Sequence, residues 1–149
     1  MTLTKFNGNI PFICKVEYVP VSDVVTFFRK SDTEAIITLQ DNTSWRPFYG
    51  TPSSYQFKDK KDNTSAGSLY NNELLLYYPG DDTSSLSIFK SLDKLPVFAR
   101  ITFSDEKLMI IGNMDEPAFI SQDFESATKT GFICSIKCTS IERFRFETV

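Results

Sequence analysis

The chain reads as mainly β: a single β-rich domain over residues 1–149, folded as an antiparallel β-sandwich or barrel with one short helix at about residues 84–93. Three observations lead there. Segments of five to ten residues alternate apolar with polar positions, Gly, Pro, Asn and Asp punctuate them about every ten residues, and aromatic residues reach 14%, fourteen of them Phe. β-branched and aromatic side chains fit a pleated, half-buried surface, so this excess suits strands. At 149 residues one core buries about two-thirds of the unfolded surface, and no disulfide staple is needed.

The elements follow in order. In residues 10–21, Phe12, Cys14, Val16 and Tyr18 take one face and Lys15 and Glu17 the other, which predicts a strand that Pro20 ends. Residues 23–28 resume β-branched and aromatic positions, and residues 35–39 form the next strand between polar turns. Trp45, Arg46, Pro47, Phe48 and Tyr49 make a short aromatic element closed by Gly50. Residues 55–61 alternate, and the polar run from Lys58 to Ala66 is expected to be an exposed loop. Residues 69–78 are a strand stopped by Pro79 and Gly80. Thr83, Ser84 and Ser85 offer an N-cap hydroxyl to a helix over 86–92, with Leu86, Phe89 and Leu92 on one face. Residues 97–103 and 108–112 flank Ser104, Asp105, Glu106 and Lys107 as a β-hairpin. Residues 117–120 lead into a polar stretch, 122–130, expected as a second exposed loop. The last long strand, 132–140, puts Phe132, Cys134, Ile136 and Cys138 on one face, and Phe144 and Phe146 alternate in the tail.

One stretch breaks the pattern. Leu74, Leu75, Leu76, Tyr77 and Tyr78 are apolar without alternation, whereas a strand with one wet face alternates. Its second face is covered either by a neighbouring subunit or by the short helix.

Composition excludes several classes of chemistry. The net charge is −3 with the 16 Lys and Arg scattered, so no basic stripe addresses nucleic-acid phosphates. No histidine is present, which removes the usual general base near neutral pH and the usual metal ligand. Cys14, Cys134 and Cys138 are an odd set without a secretion signal, read as reduced thiols rather than a zinc site. Asp81–Asp82 and Asp105–Glu106 lie in turn sequences, where carboxylates are solvated. No Gly-rich phosphate loop and no Gly-x-Ser-x-Gly elbow occurs. The longest apolar run is far short of the ~20 residues that cross a bilayer. A soluble protein with no cofactor, no metal and no enzymatic activity is the expectation. Trp45, Phe48 and Tyr49 are candidates either for a stacking platform or for an inter-subunit anchor.

The order Trp45-Arg46-Pro47-Phe48-Tyr49, Ala66-Gly67-Ser68-Leu69-Tyr70, Tyr78-Pro79-Gly80-Asp81-Asp82, a hairpin over 101–111 ending at Gly112, and Glu116-Pro117-Ala118 resembles a family of small structural proteins of tailed phages and prophages of Bacteroidota, crAss-like phages among them. The resemblance runs from about Trp45 to Ser140. It implies a non-enzymatic virion component of the tail, neck or head-to-tail connector, made in the bacterial host cytoplasm and acting as a ring oligomer. Its partners would be further copies of itself and neighbouring tail, portal and connector proteins, with DNA only as passing cargo and no membrane. The mildly acidic balance suits a channel that does not hold phosphates. Asp105 and Glu106 stand where Gly is common in that family's hairpin turn. On this reading Trp45, Phe48, Tyr49, Leu75 and Tyr77 are the candidate subunit-interface residues, and the two polar loops dock on adjacent rings. The alternative is a soluble β-sandwich binding module for a carbohydrate or protein ligand.

Overall fold

Eleven strands joined in one hydrogen-bonded sheet make up most of the chain in a computed structural model, which describes residues 3, 8, 10–80, 83–125 and 130–148. In chain order they are β1 (Ile13–Pro20), β2 (Val24–Arg29), β3 (Glu34–Leu39), β4 (Arg46–Pro47), β5 (Gln56–Thr64), β6 (Gly67–Pro79), β7 (Pro96–Phe103), β8 (Leu108–Ile111), β9 (Ala118–Glu125), β10 (Gly131–Ser140) and β11 (Arg145–Glu147). The helix α1 (Thr83–Leu92) follows β6. Neighbours run β2-β3-β11-β8-β7-β9-β10-β6-β5, and β1 lies along the other side of β7 with β4 beyond it. The mainly β fold with one short helix is therefore as expected. Every pairing is antiparallel except β3 with β11, which is parallel and makes the sheet mixed.

The long ladder of β6 with β10, from Gly131↔Pro79 to Ser140↔Tyr70, sets the larger core. Direct partners share a face, so Leu74, Leu76 and Tyr78 meet Ile136, Cys134 and Phe132 there. β7 supplies Val97, Ala99 and Ile101 to the same core. Its intervening Phe98 enters a second, smaller core with Val19, Val24 and Ile110, covered by Phe27, Ile37 and Leu39 of the β2–β3 hairpin. The strand buried on both faces is thus β7, with β1 and β8 contributing to both cores beside it. β6 is fully covered on one face alone, with Leu75 half-buried on the other.

α1 does not cover that other face. It buries Ser85, Phe89 and Leu92, and Phe89 packs on Phe132 and Tyr78 of the inner face at ring distances of 4.7 and 5.3 Å. Spacing of four and three residues makes Ser85, rather than Leu86, the third inward position, and Leu86 is exposed. Thr83, Ser84 and Ser85 are helical, and the residues before Thr83 that would set the cap lie outside the described residues.

Three further expectations are corrected. Phe12 and Cys14 are exposed because the β1–β7 register shifts between Ile13 and Lys15; this bulge reverses the alternation, and Ile13 takes the core side. Residues 58–64 are ladder, not loop. β5 is an edge strand, where charged side chains cost nothing and discourage foreign pairing, so polarity misreads as a loop. Ser65 and Ala66 make a two-residue turn into Gly67 (φ +126), and the Thr64 hydroxyl donates to the Gly67 carbonyl at 2.7 Å. Residues 122–125 likewise continue β9 against β10, while residues 126–129 lie outside the described residues.

Candidate functional site

The aromatic corner at Trp45 is built by β4. Glu17↔Pro47 and Tyr18↔Arg46 pair it with β1, and the Phe48 amide donates to the Val16 carbonyl at 2.9 Å. The chain then sends its rings in different directions. Phe48 is buried in the larger core, edge-on to Tyr18 at 5.9 Å. Trp45 packs against the smaller core. Tyr49 is exposed and edge-on to Tyr78 at 6.3 Å. The three do not form one stacking platform.

Beneath the Trp45 indole, 4.4 Å from its ring centre, lies the Arg100 guanidinium. Arg100 Nη2 and Nε donate to Glu17 Oε1 at 2.9 and 3.2 Å, and Nη1 donates to Glu147 Oε2 at 3.0 Å. One cation held by two carboxylates and an aromatic face satisfies a charge taken from water and ties β1, β7 and β11 together. The cluster positions strands. Sequence reading passed over it, although Arg100 inside the apolar run of β7 was a signal.

Beside the corner is a cleft of about 200 Å³. Pro47, Phe48 and Tyr49 form one wall and Ile88, Phe89 and Leu92 of α1 the other. The Tyr78 and Ser85 hydroxyls share a 2.6 Å hydrogen bond on its lining. The cleft has room for a small apolar group with one polar contact. It brings no base to a nucleophile, and among the described residues no group of three His, Cys, Asp or Glu could hold a metal ion.

Leu75 and Tyr77 lie apart from this corner, on the outward face of β6. Tyr77 is buried by its own chain: its ring passes over Gly131, where a Cβ would lie 2.5 Å from the Tyr77 hydroxyl oxygen. Tyr77 pairs with Ile133, and Phe119 of β9 shares the same outward side through Lys137. Ile133 and Phe119 are 39% and 46% exposed. The five candidate interface residues thus divide between two cores, one exposed ring and this outward face.

Two of the three thiols are shielded by their environment. Burial pushes Cys134 up to about 12 and Cys138 to about 11, the latter raised also by the Glu116 charge, whereas Cys14 is exposed. Around Glu142, burial acts to raise the carboxyl, but hydrogen bonds and charges from Arg29 and Arg145 outweigh it and hold the group below its ordinary value. Asp105 accepts the Lys107 amide within its hairpin turn, where Glu106 has φ +69. That left-handed position is one that Gly adopts freely, so the turn keeps the geometry a Gly would have there.

Searches of protein-family models, curated proteins and solved structures find no match to this chain.

Proposed function

We propose that the chain is a non-enzymatic structural subunit of a tailed-phage virion, placed in the tail or head-to-tail connector and working as a ring-like oligomer. The observation that carries this reading is the outward face of β6, β10 and β9. It presents Leu75, Ile133 and Phe119 around one Lys137–Glu73 pair at 3.5 Å, and α1 packs inside the fold rather than over it. Exposed apolar positions that recur across adjacent strands are what a neighbouring subunit covers. The described residues also hold clusters that tie strands together, such as Arg100 with its two carboxylates.

The test is to quantify the chain against the major capsid protein in purified particles by mass spectrometry. A small, fixed ratio supports the reading. Absence from particles while the chain is abundant in producing cells overturns it. The cleft beside α1 favours a second reading, a soluble binding module taking a small apolar group between Tyr49 and Ile88. Tyr49→Ala would then abolish ligand-induced protection of the fold, and an unchanged melting profile across apolar ligands would remove this reading.

A further inference from the structure

Ser85, Ile88, Phe89 and Leu92 recur along α1 at three- and four-residue spacing, and all four line the cleft whose other wall is Pro47, Phe48 and Tyr49. The two walls belong to different elements, each fixed by its own contacts: β4 pairs with β1, and α1 is anchored by Phe89 and Leu92 in the larger core. The space of about 200 Å³ between them takes one ring with a small substituent. An apolar cavity of roughly 150 Å³ holds benzene, and pockets for drug-sized ligands start near about 300 Å³.

The lining chooses among one-ring molecules in three ways. Tyr78 stands edge-on to Phe89 at 5.3 Å and to Tyr49 at 6.3 Å, with interplanar angles of 88° and 85°. Such alternating edges and faces complement the edge and face of a further aromatic ring, whereas a saturated ring has no quadrupole to match them. The second choice is polar. The Tyr78 and Ser85 hydroxyls share a 2.6 Å hydrogen bond, and Ser85 is only 3% exposed. That bond uses one of the two O–H groups, so the pair keeps one donor and spare lone pairs, and a ligand hydroxyl answers both. The third is charge: among the described residues that line the cleft none is Lys, Arg, Asp or Glu, so a carboxylate or ammonium would enter without a counter-charge. Tyr49 and Ile88, 58% and 54% exposed, leave the mouth open to solvent.

We infer that this cleft binds a small neutral phenol, its ring between the β4 corner and α1 and its hydroxyl on the Tyr78–Ser85 pair. This rests on the second reading above, that of a binding module, and names the class of its ligand.

The experiment is a titration of the full chain, labelled with ¹³C at its isoleucine methyls, in which NMR follows the Ile88 methyl and Ile88→Val assigns it. The probes are 4-methylphenol, toluene, 4-methylcyclohexanol, 4-methylbenzoate and N-acetyltyrosinamide. 4-Methylphenol is expected to shift the Ile88 signal to saturation and to bind about three- to tenfold more tightly than toluene or 4-methylcyclohexanol, while 4-methylbenzoate leaves it in place. Ser85→Ala, which a helix accepts readily, should bring 4-methylphenol level with toluene and keep the melting transition, and Tyr78→Phe should do the same. Toluene binding as well as 4-methylphenol to the parent, 4-methylbenzoate binding, or both variants holding 4-methylphenol as the parent does overturns the phenol assignment and leaves the binding-module reading standing. N-acetyltyrosinamide binding more tightly than 4-methylphenol also overturns it, by making the occupant a tyrosine of a partner polypeptide. An Ile88 methyl that no probe moves overturns the assignment and the binding-module reading together.

Discussion

Phe98 tests the arrangement of two cores around shared strands. It is fully buried, stands on the opposite side of β7 from Val97, Ala99 and Ile101, and packs 5.5 Å from the Phe27 ring. Phe98→Ala removes a phenyl group from a site walled by two layers of sheet, and such core truncations cost about 3–5 kcal/mol. The Phe27 ring pair accounts for about 0.5–1.5 kcal/mol of that. On a strand with one wet face, the same change outside the core would stay within about 0.5 kcal/mol. Urea unfolding followed by Trp45, the single Trp and itself packed on the smaller core, gives the readout. With a slope of about 2 kcal/mol per molar, the midpoint should fall by about 1.5–2.5 M. Ile101→Ala, on the same strand but facing the larger core, should cost about 2–5 kcal/mol as well. A Phe98→Ala midpoint within about 0.3 M of the parent, with Ile101→Ala strongly shifted, would refute a second packed core.

Other outcomes follow from single contacts. Gly131→Ala should destabilise by about 1–3 kcal/mol. The new Cβ would lie 2.5 Å from both the Tyr77 hydroxyl oxygen and the Tyr78 carbonyl oxygen. Tyr77→Ala should restore only part of that loss, since the backbone oxygen cannot leave; full rescue in thermal melts would contradict this. The folded-state pKa of Glu142 is lowered, so its contribution is present above the unfolded value and lost as pH falls through the folded value. Denaturation midpoints of Glu142→Gln should therefore lack part of the parent's acid-side loss, and superimposable pH profiles would count against the Arg29–Glu142–Arg145 bridge. Alkylation of the native protein at pH 8 should modify Cys14 alone, with Cys134 and Cys138 reacting only in denaturant; whole-protein mass decides it.

Alternation along the chain determined the strand-rich class by itself. In β10 the inward set Phe132, Cys134, Ile136 and Cys138 is legible because one face is dry and the other wet, and period two records that difference. The β7–β8 hairpin was legible because its turn chemistry is local. The candidate interface residues were less so: Trp45, Phe48 and Tyr49 are neighbours in sequence, and only the pairing of β4 with β1 sends Phe48 into one core, Trp45 towards the other and Tyr49 outward. Polarity misled at β5, since an edge strand with most of its residues exposed has the composition of a loop. The bulge near Cys14 has no composition signal, for an extra residue alters phase without altering content. Tertiary structure alone decided which strand is doubly buried. The apolar run in β6 suggested that strand, yet burial depends on what lies across the sheet. The β2–β3 hairpin, brought over β7 and β8 by a parallel bridge from the distant C-terminus, is a long-range pairing that no local window of sequence contains.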